Sequence, residues 1–282
     1  MTSAPVTADP PPRARRGPRD RRTGPGRPPV GVVPLALLAL LFIALPVVAL
    51  LVRAPWSGLV DDLTSRTSLD ALRLSLVTSA AAAASATLLG VPLAILLTRG
   101  AFAGRRVLQA LVLLPMVLPP VVVGVALLLA FGRNSVVGTL LDDALGLRLP
   151  FTTAGVVVVQ TFVALPFVVV TVSAALRGMD RRAEEAAATL GAGPWTVLRR
   201  VTLPAVAPAI AAGSALAWAR ALGEFGATIT FAGSLPGETR TLPLALFNEL
   251  QTSLDGAVSL AVLMLAVSAA VLIGLRGRWL AR

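Results

Sequence analysis

The feature that most constrains this chain is a series of apolar segments, each long enough to cross a lipid bilayer as an α-helix. The hydrocarbon core of a bilayer requires about 20 predominantly apolar residues in helical conformation. Because lipid offers no partners to main-chain N–H and C=O groups, a spanning segment must satisfy them within its own helix. The sequence therefore predicts an all-α polytopic membrane protein with about six transmembrane helices, at residues 30–52, 71–98, 107–131, 153–176, 204–231 and 255–275.

Two of the predicted spans carry residues that interrupt helices. The third contains Pro115, Pro119 and Pro120, and the fifth contains Gly223 and Gly226. Proline removes a main-chain donor and clashes with the preceding turn, whereas glycine weakens a helix by its conformational freedom. We expect both spans to be broken or re-entrant, since irregular backbone at membrane depth is tolerated only where protein or water satisfies it.

The composition argues against catalysis by the chain alone. Its 282 residues are 56% hydrophobic and 14% charged, and they include no Cys, His, Lys or Tyr. This removes most nucleophiles, proton shuttles and soft metal ligands. An ATP-binding Walker A loop requires a lysine, so any ATP must be hydrolysed by a separate subunit. We expect the chain to be no enzyme and to bind no cofactor or metal.

The net charge of +11 is explained by membrane topology and does not predict a nucleic-acid partner. Residues 1–29 are rich in Arg, Pro and Gly, which predicts a disordered cytoplasmic tail ahead of an uncleaved first transmembrane helix at 30–52. Arginine collects in cytoplasmic segments, so we expect both termini on the cytoplasmic side of a prokaryotic plasma membrane. Beyond the tail, the predicted inner arginines are Arg99, Arg105, Arg106, Arg177, Arg181, Arg182, Arg199, Arg200, Arg276, Arg278 and Arg282. The predicted outer segments hold Arg53, Arg66, Arg133, Arg148 and Arg240 against Asp61, Asp62, Asp70, Asp142, Asp143, Glu238, Glu249 and Asp255, which makes them net acidic.

The longest predicted loop after the tail, residues 180–204, has the pattern of two short helices. Asp180 is placed to cap the first helix, and Glu184 and Glu185 follow in its early turns, where the helix dipole favours anions. Gly191 is expected to end this helix, and Pro194 suits the first turn of the second. An amphipathic helical element at a membrane surface requires a partner, either another protein or the anionic lipid headgroups.

The same loop carries a motif that resembles the permease subunits of binding-protein-dependent ABC importers of the type I fold. The motif consists of Glu185-Ala186-Ala187, then Gly191, Val201 and Leu203-Pro204 at the family's spacing, with Val201 where the family often has Ile. The resemblance implies a permease core over 68–276, in which this loop is a coupling helix that docks on a cytoplasmic ATPase. The residues predicted to couple to the ATPase are Glu184, Glu185, Ala186, Ala187, Gly191, Leu203 and Pro204.

A second resemblance concerns the transported substrate. Residues 220–247 are similar to the fifth-span end and following loop of molybdate permeases and, more distantly, of sulfate and thiosulfate permeases. Both groups share Gly223-Glu224-Phe225-Gly226, whereas the sequences at 227–231, 236–241 and 118–124 favour molybdate. The resemblance covers about 70–275 and implies a homodimeric permease with two ATPase subunits and an extracytoplasmic molybdate-binding protein. Tungstate is not separable from molybdate, because the two ions are nearly equal in size and charge.

The fifth span also carries the candidate translocation residues. Arg220 lies near the middle of the bilayer, where a lone guanidinium costs several kcal/mol. Glu224 follows one turn later, so the two side chains either form an intrahelical ion pair or present a charge and a gate to a passing dianion. A proton-coupled secondary transporter is an alternative function class. It would need a titratable group within the membrane, and Glu224 is the only carboxylate near the membrane centre. The hydroxyls of Thr228 and Thr230 either bind an oxyanion or donate hydrogen bonds to carbonyls of their own helix. Two prolines, Pro119 and Pro120, either line the path or kink the helix.

Overall fold

The computed structural model describes residues 31–279, and within that range it is helical without any β-strand. The predicted tail at 1–29 lies outside the described residues. The helices are α1 Val32–Arg53, α2 Leu59–Thr64, α3 Arg66–Arg99, α4 Arg105–Val117, α5 Pro120–Phe131, α6 Val136–Leu145, α7 Thr153–Gly178, α8 Arg182–Thr189, α9 Pro194–Val197, α10 Leu203–Leu222, α11 Gly226–Ala232, α12 Leu242–Leu250 and α13 Leu254–Trp279. A π-helical turn, Leu198–Thr202, joins α9 to α10.

The chain divides into two units after Ala49. In the first unit, the described residues form most of α1, an apolar helix that contains Pro46. The second unit, from Leu50 onward, contains all the other helices and both predicted site regions.

Three long helices, α3, α7 and α10, form the centre of the second unit. Their contacts are made by small and β-branched side chains, with Ala82, Ala86, Ala164, Ala217, Ala221, Val168 and Val172 fully buried. Gly90 and Gly213 both lie against Val168, where an added Cβ would come within 3.0 Å of that residue. Small residues at these positions let the helix backbones approach closely, which is the usual basis of helix association in lipid.

The number of spanning elements agrees with the prediction of about six. Between residues 31 and 279, five helices are long and apolar enough to cross a membrane, and a sixth element is a pair of helices bent by 57°. This bent pair consists of α5 and α6, whereas the sequence predicted one span over 107–131. In the structure, that stretch is divided into α4 and α5 because Leu118 is held in an extended conformation before Pro119.

The fifth predicted span is also interrupted, at residues 223–225 between α10 and α11. The short helix α11 packs tightly on α5, which follows the break in the third predicted span. An added Cβ at Gly226 would lie 2.8 Å from Pro120 Cβ, and one at Gly124 would lie 2.6 Å from Thr230 Cβ. The two predicted interruptions therefore meet, and glycine at 124 and 226 is what allows the contact.

Candidate functional site

The 180–204 loop begins with the helix that its sequence predicts, although Arg181 and not Asp180 occupies the N-cap position. The Arg182 amide donates to Asp180 Oδ1 at 3.0 Å, and α8 begins at Arg182. Gly191 adopts a left-handed conformation (φ +85°) just after α8, a region that disfavours residues with a side chain. Pro194 occupies the first turn of α9, as expected of a residue that has no main-chain donor to lose there.

The second helix of the loop leads into the fifth predicted span without a break. It passes from α9 through the π-helical turn Leu198–Thr202 directly into α10. Pro204, near the start of α10, has no N–H to offer to the carbonyl of Arg200, and a wider turn accommodates such a gap in the helical hydrogen bonds. The loop is therefore continuous with one of the three central helices.

Glu184 attaches the loop to the transmembrane helices. Its side chain is buried, and Oε1 accepts hydrogen bonds from Arg99 Nη2 at 2.7 Å and from the Thr202 hydroxyl. Arg99 is the last residue of α3, and Thr202 lies in the π-helical turn beneath α10. One carboxylate thus joins α8 to two of the central helices.

The surroundings of Glu184 also set its ionisation. Burial by itself raises the pKa of this carboxyl, but the hydrogen bonds from Arg99 and Thr202 and the positive charges of Arg99 and Arg181 outweigh burial. The pKa of Glu184 therefore lies below its ordinary value. The carboxylate is charged at neutral pH and holds its two donors in place.

Other residues of the loop are exposed, and some of them are apolar. Leu190 is 89% exposed and Trp195 is 67% exposed, and Glu185 is exposed as well. Of the other predicted coupling residues, Ala186, Gly191 and Pro204 are exposed, and Ala187 and Leu203 are half-buried. Large apolar side chains that project from an extramembrane turn are typical of a protein-binding surface.

Arg220 and Glu224 form the ion pair that was one of the two interpretations of the sequence. Arg220 Nη2 lies 2.6 Å from Glu224 Oε2, and the Glu224 side chain is only 1% exposed. The other oxygen, Oε1, accepts from the Ala227 amide at 2.8 Å and so caps the N-terminus of α11. The Arg220 side chain as a whole is 30% exposed.

The remaining candidate path residues lie around the junction of α5 and α11. Thr230 Oγ1 donates to the Gly226 carbonyl at 2.8 Å, which is the backbone interaction considered above. Thr228 is fully buried, and its hydroxyl has no hydrogen-bond partner among residues 31–279. Pro119 and Pro120 are exposed at the start of α5, with Pro120 against Gly226.

The sequence analysis did not identify three polar residues, Gln160, Arg99 and Thr202, as members of a site. Gln160 is completely buried in α7, and neither atom of its amide has a partner within the described part of the chain. A lone amide inside a long apolar segment is a signal that could have identified it. Arg99 and Thr202 gave no such signal, because they lie 85 and 18 residues from Glu184 in the sequence.

Comparisons with known proteins agree with this architecture. Residues 86–279 match the family of binding-protein-dependent transport system inner membrane components. A molybdenum transport system permease protein, ModB, of Mycobacterium tuberculosis is 47% identical over 243 residues, which cover 86% of this chain and 92% of that protein. The protein of the same name from Escherichia coli K12 is 42% identical over 214 residues, covering 75% and 93% of the two chains.

A solved structure shares the fold. A chain of a bacterial alginate ABC transporter, crystallised with alginate pentasaccharide-bound periplasmic protein, superposes with a TM-score of 0.69 and covers 86% of this chain and 90% of its own. Its sequence is 18% identical, so the likeness concerns architecture alone. Together with the complete Glu185 to Pro204 motif, the matches establish that this chain belongs to the inner-membrane permease components of binding-protein-dependent ABC importers.

Proposed function

We propose that this chain is the membrane-spanning permease subunit of an ATP-driven molybdate importer. The observation that carries the proposal is the structure of the 180–204 loop, which Glu184 attaches to α3 and to the π-helical turn while most other residues of α8 stay exposed. The substrate is inferred from relatives that are named for molybdenum transport. The sequence similarity to these relatives extends over more than nine-tenths of their length. ATP is bound and hydrolysed by a partner, and this chain itself holds no cofactor or metal.

The contacts of Glu184 indicate how a partner's movement reaches the membrane helices. An ATPase that grips the exposed side of α8 displaces Glu184 together with the loop. Because this carboxylate bonds to Arg99 and Thr202, the displacement is passed to the ends of α3 and α10. These helices pack against α7 in the central cluster, so a shift of their ends changes access to the membrane interior. This is alternating access driven by differential binding of the ATPase to two conformations.

The interruption at residues 223–225 supplies a place for an anion to cross. Arg220 neutralises the Glu224 carboxylate, which also accepts a hydrogen bond from the Ala227 amide, and Arg220 is the partly exposed member of the pair. In this proposal, Arg220 meets the dianion in passing and Glu224 holds the arginine, with Thr228, Thr230, Pro119 and Pro120 close to the path. Two copies of the chain enclose the path, and both termini of each copy lie on the cytoplasmic side. Two ATPase subunits bind on that side, and a binding protein delivers molybdate from outside.

The test is ATP-dependent uptake of radiolabelled molybdate into proteoliposomes that contain this chain, its ATPase and its binding protein. Tungstate and excess sulfate serve as competitors. We expect uptake that tungstate blocks and sulfate leaves unchanged. Uptake that sulfate blocks would reassign the substrate to sulfate, and a lack of ATP-dependent uptake of any oxyanion would contradict the proposal.

The coupling surface is tested by Glu185→Arg, which reverses a charge on the exposed side of α8. We expect uptake to be abolished, because the ATPase meets a repulsive group, while the free energy of unfolding changes by less than about 0.5 kcal/mol. Asp143→Arg, at an exposed position in α6, is the matched control and should transport normally. Normal uptake by Glu185→Arg would contradict the coupling assignment.

A further inference from the structure

A cavity of about 230 Å³ lies at the end of the molecule opposite the 180–204 loop. Its walls come from the start of α3, with Arg66, Thr67 and Asp70, and from the turn before α12, with Pro236, Gly237 and Arg240. Arg66 and Arg99 are the two ends of α3, which at 1.5 Å per residue places them roughly 50 Å apart. Since Arg99 bonds to Glu184, the cavity is remote from the coupling surface.

We propose that this cavity binds a small tetrahedral oxyanion by means of Arg66 and Arg240, as an entry site separate from the Arg220 region. The choice of molybdate as the first ligand to test rests on the proposed function. The two guanidinium groups, the space between them and the rigidity of the turn support the proposal independently of that choice.

The charge balance in this cavity differs from that of its surroundings. Within residues 31–279, Arg53 is paired with Asp255 and Arg148 is paired with Asp142, but neither Arg66 nor Arg240 forms an ion pair. Asp70 is the only carboxylate on the wall, so two positive charges and one negative charge leave a net +1. The predicted outer segments are net acidic as a whole, and this cavity is a local exception that attracts an anion.

Arg240 is held in position before any ligand arrives. Its Nε donates to Ser234 Oγ at 3.3 Å and its Nη2 donates to the Ser234 carbonyl at 3.2 Å. Asn248 Nδ2 also donates to Ser234 Oγ, and the buried Thr239 hydroxyl accepts from the Leu235 amide. These contacts fix the turn and leave Nη1 of Arg240 without a protein partner in the described part of the chain. A guanidinium that is oriented in advance loses less entropy when it binds an oxyanion.

The size of the cavity suits a small hydrated anion. A water molecule occupies about 30 Å³ in the liquid, so the volume admits a tetrahedral oxyanion with a few waters. Arginine is the side chain best matched to such oxygens, because its planar donors make charge-assisted pairs of hydrogen bonds.

The experiment is equilibrium dialysis of the purified full-length chain in maltoside detergent and phosphate-free buffer, with radiolabelled molybdate and no binding protein. We expect saturable binding that Arg66→Gln and Arg240→Gln each weaken by roughly tenfold or more. Arg133→Gln removes the same charge from an exposed position outside the cavity and should change the affinity less than about twofold. Asp70→Asn removes the opposing charge and should tighten binding by roughly threefold.

Each result supports or overturns the cavity assignment. Absence of saturable binding, or an equal loss in Arg133→Gln, would overturn it in favour of diffuse electrostatics. If Arg66→Gln and Arg240→Gln bind molybdate like the wild type in dialysis, the proposal is wrong, and a loss of affinity for the binding protein in a separate titration would mean that the cavity receives a carboxylate of that partner. If the transport assay identifies sulfate as the substrate, saturable sulfate binding that depends on Arg66 and Arg240 would support the cavity and reject only the molybdate assignment.

Discussion

Two buried glutamates, Glu184 and Glu224, differ in where the partners of their carboxylates lie in the sequence. Each carboxylate is taken out of water and compensated by one arginine and one further donor. Glu224 uses local partners, Arg220 on the same helix and the amide of Ala227 three residues on. Glu184 uses distant ones, the side chains of Arg99 and Thr202.

The positions of these partners determine what each glutamate contributes to the structure. A pair formed within one helix break stabilises that break and moves with it as a unit. A carboxylate that joins three separate elements transmits displacement among them, because none of the three can move without stretching a hydrogen bond. Glu224 therefore stabilises an irregular segment inside the membrane, and Glu184 connects the 180–204 loop to the helix bundle.

The largest expected effect comes from breaking the local pair, with Arg220→Gln. This change leaves the Glu224 carboxylate 1% exposed and without a cationic partner, which typically costs about 3–5 kcal/mol. We expect the free energy of unfolding in detergent to fall by that amount and uptake to be lost. Denaturant titration followed by circular dichroism measures the first effect, and the proteoliposome assay measures the second.

The double variant Arg220→Gln/Glu224→Gln separates stability from transport. A glutamine at 224 still offers a carbonyl oxygen to Ala227, so stability should return to within about 1 kcal/mol of the wild type. Uptake should stay low, because the positive charge that meets the anion is missing. Full recovery of uptake would mean that Arg220 has only a structural role.

The contrast between the two glutamates also explains what could be predicted from the sequence. Contacts within one or two helical turns, such as Arg220 with Glu224 and the turn at Gly191, follow from the spacing of residues. The central helices and both interruptions were predicted for the same reason, since apolar length and the positions of proline and glycine are local properties. The Glu184 network and the cavity at Arg66 and Arg240 depend on which helices pack together. A single sequence carries no direct signal for such packing.

The second prediction weakens the long-range network, with Arg99→Gln. The Glu184 carboxylate keeps its bond to Thr202 but loses a charged donor, and hydrogen bonds to charged groups contribute about 1.5–3 kcal/mol. We expect a loss of stability in that range, smaller than for Arg220→Gln because the Glu184 side chain is 11% exposed, whereas the Glu224 side chain is 1% exposed. ATP hydrolysis by the assembled importer should continue while molybdate uptake per ATP falls. Arg177→Gln, an exposed position at the end of α7, should change neither quantity.

The third prediction removes only the neutral donor of that network, with Thr202→Val. The side chain keeps its shape and Arg99 still neutralises Glu184, so we expect a loss of about 1 kcal/mol. Thr228→Val is the matched change at a buried hydroxyl that has no partner among residues 31–279, and its stability should not fall. Thermal unfolding of the two variants in parallel measures the difference. An equal loss in both would mean that the hydroxyl of Thr202 contributes nothing specific.

The smallest expected effect is the dependence of the 180–204 loop on pH. The pKa of Glu184 in the folded protein lies below the ordinary value of 4.5, so its stabilising contribution is complete above pH 4.5 and is lost as the pH falls through the folded pKa. Hydrogen exchange of residues 182–202, corrected for the intrinsic exchange rate at each pH, should show constant protection at neutral pH and a decline only below pH 4.5. Glu184→Gln should show weaker protection that does not change across this acidic range. A decline in protection that is already present near neutral pH, or one that is retained in Glu184→Gln, would mean that a different group controls the attachment of the loop.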